Sequence, residues 1–225
     1  MSTLPLNDVL QRITESQPPL SASTSILLGF GALAAVAIPA TWSIARHWDV
    51  MAHEGSHAFF GAILGMKVGY VRLNKDATGL TMLRGSGHGF ISSFVGYLGS
   101  SLFGLAAAKL IAVGHSVAVL WITLALLSAL LLLVRTLFGA VSIVLSGVLI
   151  FAIARYGAVG SEVIAAYAIA WLLLLSGPRT ILVYWAGSAD ADDLAKVTRL
   201  GKQLWPLLWF ALGATAVIVG GSMLV

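Results

Sequence analysis

Residues 53–73 read HEGSHAFFGAILGMKVGYVRL. The first part of this stretch is apolar but contains two histidines and a glutamate, and the second part, from Lys67, alternates basic with β-branched and aromatic residues. The apolar run from about residue 44 to 66 is long enough to cross a membrane. Residues 68–73 and 79–83 are rich in β-branched and aromatic side chains and are separated by a turn-like segment. The sequence therefore predicts a membrane helix followed by a β-hairpin within residues 67–87.

The bulk composition is typical of a membrane protein. Of the 225 residues, 59% are hydrophobic and only 10% are charged, and the mean hydropathy is +0.95. Soluble globular proteins carry roughly 25% charged residues, so a polytopic membrane protein is indicated. The chain has no cysteine, which excludes disulfides and thiolate metal sites. Its charges lie between apolar runs, so we expect a lipid bilayer and no nucleic acid as its surroundings.

Seven apolar segments predict an all-α polytopic membrane protein with about six to seven transmembrane helices and the small hairpin. They lie at about 24–41, 44–66, 89–112, 116–134, 137–155, 161–185 and 204–224. Pro39 is expected to kink or end the first segment. Residues 1–23 are expected to form a cytoplasmic tail, and residues 24–225 a single domain with a polar segment at 187–203.

The basic residues predict an orientation if all seven segments cross. One side then carries Arg12, Lys67, Arg72, Lys75, Arg84, Arg135, Arg179, Lys196, Arg199 and Lys202, and the other carries Arg46, Lys109 and Arg155. Cytoplasmic loops of membrane proteins carry an excess of lysine and arginine. The N-terminus, the hairpin and the 187–203 segment are therefore predicted to lie in the cytoplasm, with the protein in the cell membrane.

His53 and His57 are four positions apart, so in a helix they project from the same face, one turn apart. This H-E-x-x-H spacing lets two imidazoles bind one zinc ion, with Glu54 beside it as general base on the zinc-bound water. The alternative is a pair of interfacial histidines with a glutamate that reaches the membrane surface. Ionisable groups inside spans are costly and usually mark functional sites, which favours the metal site.

A catalytic zinc site normally has three protein ligands, so a third residue is needed. The candidates are Asp190 and Asp192 in the cluster ADADD, and His88 in GSGHGF. The acidic cluster is also typical of a helix N-terminus, where carboxylates complement the helix dipole, and the two roles are compatible. His47 and Asp49 lie on the motif's own segment, where at most they support the ligands.

With these motifs the chain resembles the site-2 protease family of intramembrane zinc metallopeptidases, and within it the B-like branch that is common in bacteria. The resemblance is carried by residues 53–73, by GYLGSSLFG at 96–104, by RTLFG at 135–139 and by ADADDLAKVT at 189–198. Together these segments extend from about residue 50 to residue 225.

The resemblance implies roles for individual residues. His53 and His57 match the family's zinc histidines, and Glu54 matches its catalytic glutamate. Asp190 matches the aspartate of a Ser-Asp-Ala segment, which reads Ala-Asp-Ala here. The better-characterised members carry the third ligand in an Asn-x-x-Pro…Leu-Asp-Gly segment that this sequence lacks, and Thr136 stands where an asparagine is expected.

A shared site for these residues implies an unusual chain path. If the motif span starts on the outer side, His53 lies about ten residues, or roughly 15 Å, from that side. Asp190 falls at the cytoplasmic side. We therefore expect the 187–203 segment to dip into the membrane, where polar backbone is tolerated only inside a protein-lined cavity.

The leading hypothesis is an intramembrane zinc metalloprotease that hydrolyses peptide bonds in or next to transmembrane segments of membrane-protein or peptide substrates. The hairpin is expected to hold the unwound substrate as an added strand, or to touch lipid headgroups. One rival is a metal-binding transporter or sensor in which Glu54→Gln leaves function intact. Another is a structural membrane component that binds no stoichiometric metal. The substrate and the oligomeric state stay open.

Overall fold

The structure, a computed structural model, describes residues 6–85, 89–157 and 160–225. It is mainly helical, with one antiparallel hairpin directly after the helix that carries the H-E-x-x-H motif. The elements are α1 (Leu6–Thr14), α2 (Ala22–Ala37), α3 (Pro39–Ile63), β1 (Lys67–Leu73), β2 (Gly79–Arg84), α4 (Gly89–Gly96), α5 (Gly99–Ala112), α6 (Ser116–Leu133), α7 (Leu137–Tyr156), α8 (Ser161–Val183), α9 (Ala189–Thr198) and α10 (Leu204–Leu224). The predicted fold class is confirmed.

Helices that qualify as membrane spans make up most of the described chain. α6, α7, α8 and α10 are each long and apolar enough to cross alone. The pairs α2–α3 and α4–α5 qualify as bent units, with bends of 99° and 71°. The described residues therefore contain four candidate spans, or up to six. A seventh crossing is not seen, because the predicted segments 24–41 and 44–66 form one bent pair.

The bend between α2 and α3 follows from Pro39. This residue is the first of α3, where the missing proline N–H is not needed for helix hydrogen bonds. Ile38 before it has extended backbone angles (φ −79°, ψ 124°), as a residue preceding proline prefers, so α2 ends at Ala37. The predicted break at Pro39 is confirmed.

The hairpin lies at the end of the bundle where α6 ends and α7 begins. β1 pairs with β2, with Val71 opposite Thr81. The other edge of β1 meets the α6–α7 connection, where the Arg135 N–H donates to the Val71 carbonyl at 2.9 Å. The Thr136 hydroxyl bonds the N–H and the carbonyl of Leu73 at 3.1 and 2.7 Å. Thr136, where the resemblance led us to expect an asparagine, therefore ties the hairpin to the helices.

The N-terminal segment lies at the opposite end of the bundle. Gln17 donates its N–H to the Gly114 carbonyl at 2.8 Å and accepts from the Val117 N–H at 3.0 Å, at the start of α6. Arg12 forms an ion pair with the buried Glu162 at the start of α8. The 18 residues of α6, about 27 Å long, run from this end to the hairpin. The prediction that tail and hairpin share one side is therefore wrong, since it counted α2 and α3 as two crossings.

The basic side chains keep a strong asymmetry after this correction. His47, next to Arg46, contacts the ring of Phe138 at the start of α7 (5.1 Å between centroids), so Arg46 belongs to the hairpin end. That end carries Arg46, Lys67, Arg72, Lys75, Arg84, Arg135, Arg179, Lys196, Arg199 and Lys202, and the tail end carries Arg12, Lys109 and Arg155. The distribution favours the cytoplasm for the hairpin end.

Small residues let the helices around the motif approach closely. A Cβ atom at Gly99 of α5 would lie 2.7 Å from the Ala52 carbonyl oxygen of α3, and one at Gly104 would lie 2.7 Å from the Leu174 nitrogen of α8. Real Cβ atoms do not come so close, so glycine is required at both contacts. Gly99 and Gly104 are therefore close-packing positions of α5 against α3 and α8.

Candidate metal centre

α3 presents His53 and His57 from one face, with 3.2 Å between their Nε2 atoms. His57 is buried, and its Nδ1 donates a hydrogen bond to the Ser92 carbonyl of α4 at 2.8 Å. With Nδ1 carrying the proton, the Nε2 lone pair of His57 is available to a metal. Metal-binding histidines are commonly oriented by such a contact from the other ring nitrogen.

Asp190 reaches the two histidines from α9. Its Oδ2 lies 3.4 Å from Nε2 of His53 and 3.4 Å from Nε2 of His57. One ligand atom of each residue lies within 4.8 Å of the other two, so the three can hold one ion. Burial by itself raises the pKa of Asp190, but hydrogen bonds and charge interactions with the two histidines hold that pKa below its usual range. This direction agrees with a role as metal ligand, because a carboxyl group must be deprotonated to bind a metal.

The other predicted third ligands are not part of this group in the described residues. Asp192 is engaged with Lys202, with 2.7 Å between Oδ1 and Nζ. His88 lies outside the described residues. The acidic cluster also begins a helix, as the alternative interpretation held, because the Ser188 hydroxyl accepts the Ala191 N–H at 3.1 Å.

Apolar packing holds α9 in place, and the bend between α2 and α3 brings the histidines of α3 to it. Leu194 is fully buried in a cluster with Trp205 and Trp209 of α10. We expected the 187–203 segment to dip into the membrane because we placed His53 far from the hairpin end. α3 instead starts at that end, where Asp49, one turn before His53, bonds Thr180 near the end of α8. Asp190 therefore meets the histidines close to the hairpin.

Glu54 lies beside the group of three ligands and contacts the hairpin. Its Oε1 is 4.0 Å from Nε2 of His53. The Thr81 hydroxyl of β2 lies 2.6 Å from Glu54 Oε2 and 3.0 Å from its backbone oxygen. A Cβ atom at Gly79 would overlap the Glu54 carboxylate, so the strand approaches closely enough to fix this side chain. Glu54 is 4% exposed, which means that its orientation depends on these contacts.

The residues surround one cavity of about 500 Å³ between α3, the hairpin, α4 and α9. Thr81, Ser92 and Tyr97 line it, although sequence reasoning did not name them as site residues. The Tyr97 ring stands edge-on to His53 (4.9 Å between centroids) and stacks on Trp209 (4.7 Å). Thr81 carried a signal, since it is a hydroxyl side chain within an otherwise apolar predicted strand. Ser92 and Tyr97 carried none.

The donor set fits a zinc ion. Two imidazole nitrogens and one carboxylate oxygen are typical of catalytic zinc sites, which leave a fourth position open. The backbone beside them also leaves room for the ligands. A Cβ atom at Gly96 would overlap the His57 imidazole and lie 2.9 Å from Asp190 Oδ2. Gly96 is therefore a close-packing position against two of the three candidate metal ligands.

Comparison with known proteins gives the family. A search of curated proteins and a search of solved structures found no match. The family model described as Peptidase M50B-like matches residues 26–220, which include α3, the hairpin and α9. This match confirms the resemblance to the B-like branch of the site-2 protease family. The chain belongs to the Peptidase M50B-like family.

Proposed function

We propose that the protein is a site-2-protease-like zinc metalloendopeptidase of the cell membrane. It hydrolyses peptide bonds in or next to the transmembrane segments of other membrane proteins. The observation that carries the proposal is the convergence of His53, His57 and Asp190 on one point, with Glu54 beside them. Membership of a peptidase family and the four to six candidate spans support it.

The roles of the side chains follow from their positions. His53, His57 and Asp190 would hold a zinc ion, which would supply the Lewis acidity that polarises a scissile carbonyl and acidifies a water molecule. Glu54 stands next to the ligands without belonging to their group, as a general base must. It takes a proton from the attacking water and passes it to the leaving amine. The Ser92 carbonyl holds the His57 ring in the orientation that this chemistry needs.

The hairpin supports the proposal that the substrate binds as an extended strand. One edge of β1 pairs with β2, and its other edge meets Val134 and Arg135. The remaining edge of β2 pairs with no strand in the described residues. Residues 77–83 line the same cavity as the metal ligands. A substrate helix must unwind to expose its carbonyls, and it then loses its own backbone hydrogen bonds. The unpaired edge of β2 can replace these bonds by pairing with the unwound segment as an added strand.

Zinc content and cleavage, measured on the same variants, test the proposal. The detergent-purified protein is assayed by elemental analysis, and cleavage is read from single-span membrane reporter proteins co-expressed in cells. We expect about one zinc per chain, as for other three-ligand sites, with loss of zinc in His53→Ala and Asp190→Ala. Asp192→Ala is the matched control on α9 and is expected to keep zinc, because Asp192 pairs with Lys202.

Glu54→Gln separates a peptidase from a protein that only binds metal. The peptidase proposal expects this variant to keep zinc and lose cleavage, since the amide cannot accept the proton. Unchanged cleavage in Glu54→Gln would assign the metal to another role. Absence of zinc from the wild type, after purification without chelators and with zinc added back, would overturn the metal centre itself.

A further inference from the structure

Two basic side chains stand opposite each other on the outward face of the hairpin, which points away from α3. Thr81 and Leu83 of β2 contact α3. Successive side chains of a strand point to opposite faces, so Met82 and Arg84 point outward. The residue opposite Arg84 in β1 is Lys67, and both side chains are exposed. Side chains directly opposite in an antiparallel pair share one face, so the two cations are neighbours.

A bulge at Gly69 gives Lys67 this orientation. The pairing of β1 with β2 shifts between Val68 and Tyr70, so Gly69 is an extra residue in β1. If Gly69 were paired regularly, strict alternation from Tyr70 would turn Lys67 towards α3. Bulges re-aim side chains in this way and are common beside functional sites. The bulge therefore places Lys67 on the same face as Tyr70 and Arg84.

The two cations have no acidic partner in the described part of the chain. No ion pair joins Lys67 or Arg84 to a carboxylate there. Asp76 at the hairpin turn accepts from the Thr78 hydroxyl, and the exposed acids of α9 pair with lysines. Like charges directly opposite in a hairpin are destabilising. An anion from outside the chain would relieve this repulsion.

The hairpin lies across the end of the bundle. α2 runs along the candidate span α8, since the Leu20 N–H donates to the Tyr167 hydroxyl and Arg179 donates to the Val36 carbonyl. α3 is bent from α2 by 99°, so it crosses the bundle instead of following the spans. The hairpin packs along α3, and its turn end joins the α6–α7 connection. In a bilayer, the outward face is therefore level with the lipid headgroups.

The rest of the outward face suits this environment. The guanidinium carbon of Arg72 lies 5.2 Å from the centre of the Tyr70 ring. Leu80, opposite Arg72, is 46% exposed. Tyrosine is enriched at the headgroup level, and basic side chains beside apolar ones are typical of surfaces that bind the membrane interface. The combination favours a lipid over a soluble phosphate ion, which would contact the charges alone.

We propose that Lys67 and Arg84 form a binding site for the phosphate of an anionic phospholipid on the outward face of the hairpin. The arginine can bind two phosphate oxygens at once, and the lysine adds a point charge. Binding removes the repulsion between the two cations and holds the hairpin at the membrane surface. The site is separate from the metal ligands, and the inference uses neither the metal nor cleavage.

The lipid affinity of the detergent-purified full chain tests the site. Phosphatidylglycerol and phosphatidylcholine with the same acyl chains are titrated, and bound lipid is counted by native mass spectrometry. We expect tighter binding of phosphatidylglycerol, weakened roughly fivefold in Lys67→Gln and in Arg84→Gln. Lys109→Gln removes an exposed lysine at the tail end and should bind like the wild type. Equal affinity for the two lipids, or equal losses in all three variants, would overturn the proposal.

Competition identifies the source of the anion. Inorganic phosphate and a soluble glutamate-rich peptide are each added at the concentration of the lipid, and neither is expected to displace phosphatidylglycerol. Displacement by phosphate would assign the pair to free anions, and displacement by the peptide would assign it to an acidic protein. Either result overturns the lipid site.

Thermal unfolding in detergent gives a second readout, because the effect of each substitution should change sign. Without anionic lipid the two cations repel, so Lys67→Gln and Arg84→Gln should unfold at a temperature no lower than the wild type. With phosphatidylglycerol, both should unfold below it. Arg84→Glu creates an ion pair across the hairpin and should lose the gain from the lipid. The same order of these proteins with and without phosphatidylglycerol would contradict the site.

Discussion

The Thr81 hydroxyl of β2 lies 2.6 Å from Oε2 of Glu54, so a residue of the hairpin holds the side chain that we propose as the general base. Thr81 shares the inward face of β2 with Gly79 and Leu83, which contact Glu54 and Gly61 of α3. The hairpin is therefore packed on the motif helix itself. The position of the hairpin and the orientation of the Glu54 side chain therefore depend on each other.

Thr81→Val is expected to lower the turnover number for a cleaved reporter without loss of zinc. Valine has a similar shape but leaves the Glu54 carboxylate without its donor, and a loss of roughly tenfold corresponds to about 1.4 kcal/mol of transition-state stabilisation. Thr81→Ser, which restores the hydroxyl, should recover most of the rate. Equal rates in threonine, serine and valine variants would show that the contact does not matter for catalysis.

Gly79→Ala should impair cleavage more than Thr81→Val does. The added methyl group would occupy the space of the Glu54 carboxylate, so the base or the strand must move, and small displacements of catalytic groups cost roughly 100-fold. The zinc content should be unchanged, because the metal ligands are not touched. Gly147→Ala is the control, since a Cβ atom there meets nothing within 4 Å. Full cleavage by Gly79→Ala would contradict the close approach of the strand.

Gly96→Ala is expected to have the opposite profile, with loss of zinc binding itself. A Cβ atom at Gly96 would overlap the His57 imidazole and crowd Asp190, so the three ligand atoms can no longer converge. Chelator competition should show an affinity at least about tenfold weaker than wild type. Gly31→Ala on α2, with no atom within 4 Å of the added methyl, serves as the control. Wild-type zinc affinity in Gly96→Ala would speak against the described ligand geometry.

Arg12→Gln is expected to destabilise the docking of the N-terminal segment. It leaves the buried Glu162 carboxylate without its cationic partner, which costs about 2 kcal/mol. The double variant Arg12→Gln, Glu162→Gln removes both charges and should recover part of the loss. Thermal unfolding in detergent of the wild type, Arg12→Gln, Glu162→Gln and the double variant gives the four stabilities of this cycle. Strictly additive losses would mean that the two residues do not interact.

The tail and the hairpin should be accessible from opposite sides of the membrane. Because the chain has no cysteine, Glu15→Cys and Lys75→Cys each introduce a single exposed thiol. The excess of basic residues at the hairpin end predicts that a membrane-impermeant reagent labels Glu15→Cys in intact cells, and Lys75→Cys only after permeabilisation. Labelling of both thiols from the same side would contradict the described chain path.

Local patterns in the sequence were sufficient for much of this architecture. The spacing of His53 and His57 within an apolar run predicts their common helix face, and two short β-branched runs predict the hairpin. The path of α3 was not accessible in this way. Hydropathy recognises each apolar run as a possible span, but the direction of α3 after Pro39 depends on its contacts with α5, α8 and the hairpin.

The surroundings of the proposed metal ligands were even less accessible to sequence reasoning. Ser92, Tyr97 and Ser100 come from the region around the break between α4 and α5, and nothing in their local sequence indicates that they face α3. The sequence alone suggested at most a supporting role for Asp49, because its partners Ser100 and Thr180 are distant in the sequence. Contacts of this kind arise from helix packing, which no single segment encodes.

The position of α9 late in the chain sets the order in which the proposed site can be completed. Both histidines are synthesised well before Asp190, whose helix packs on α4 and, through Leu194, on Trp205 and Trp209 of α10. A nascent chain therefore lacks the proposed third ligand until α9 has been synthesised, and α9 gains its packing against α10 only after that. If the protein cleaves as proposed, neighbouring proteins meet only an incomplete metal centre while the chain is being synthesised up to α9.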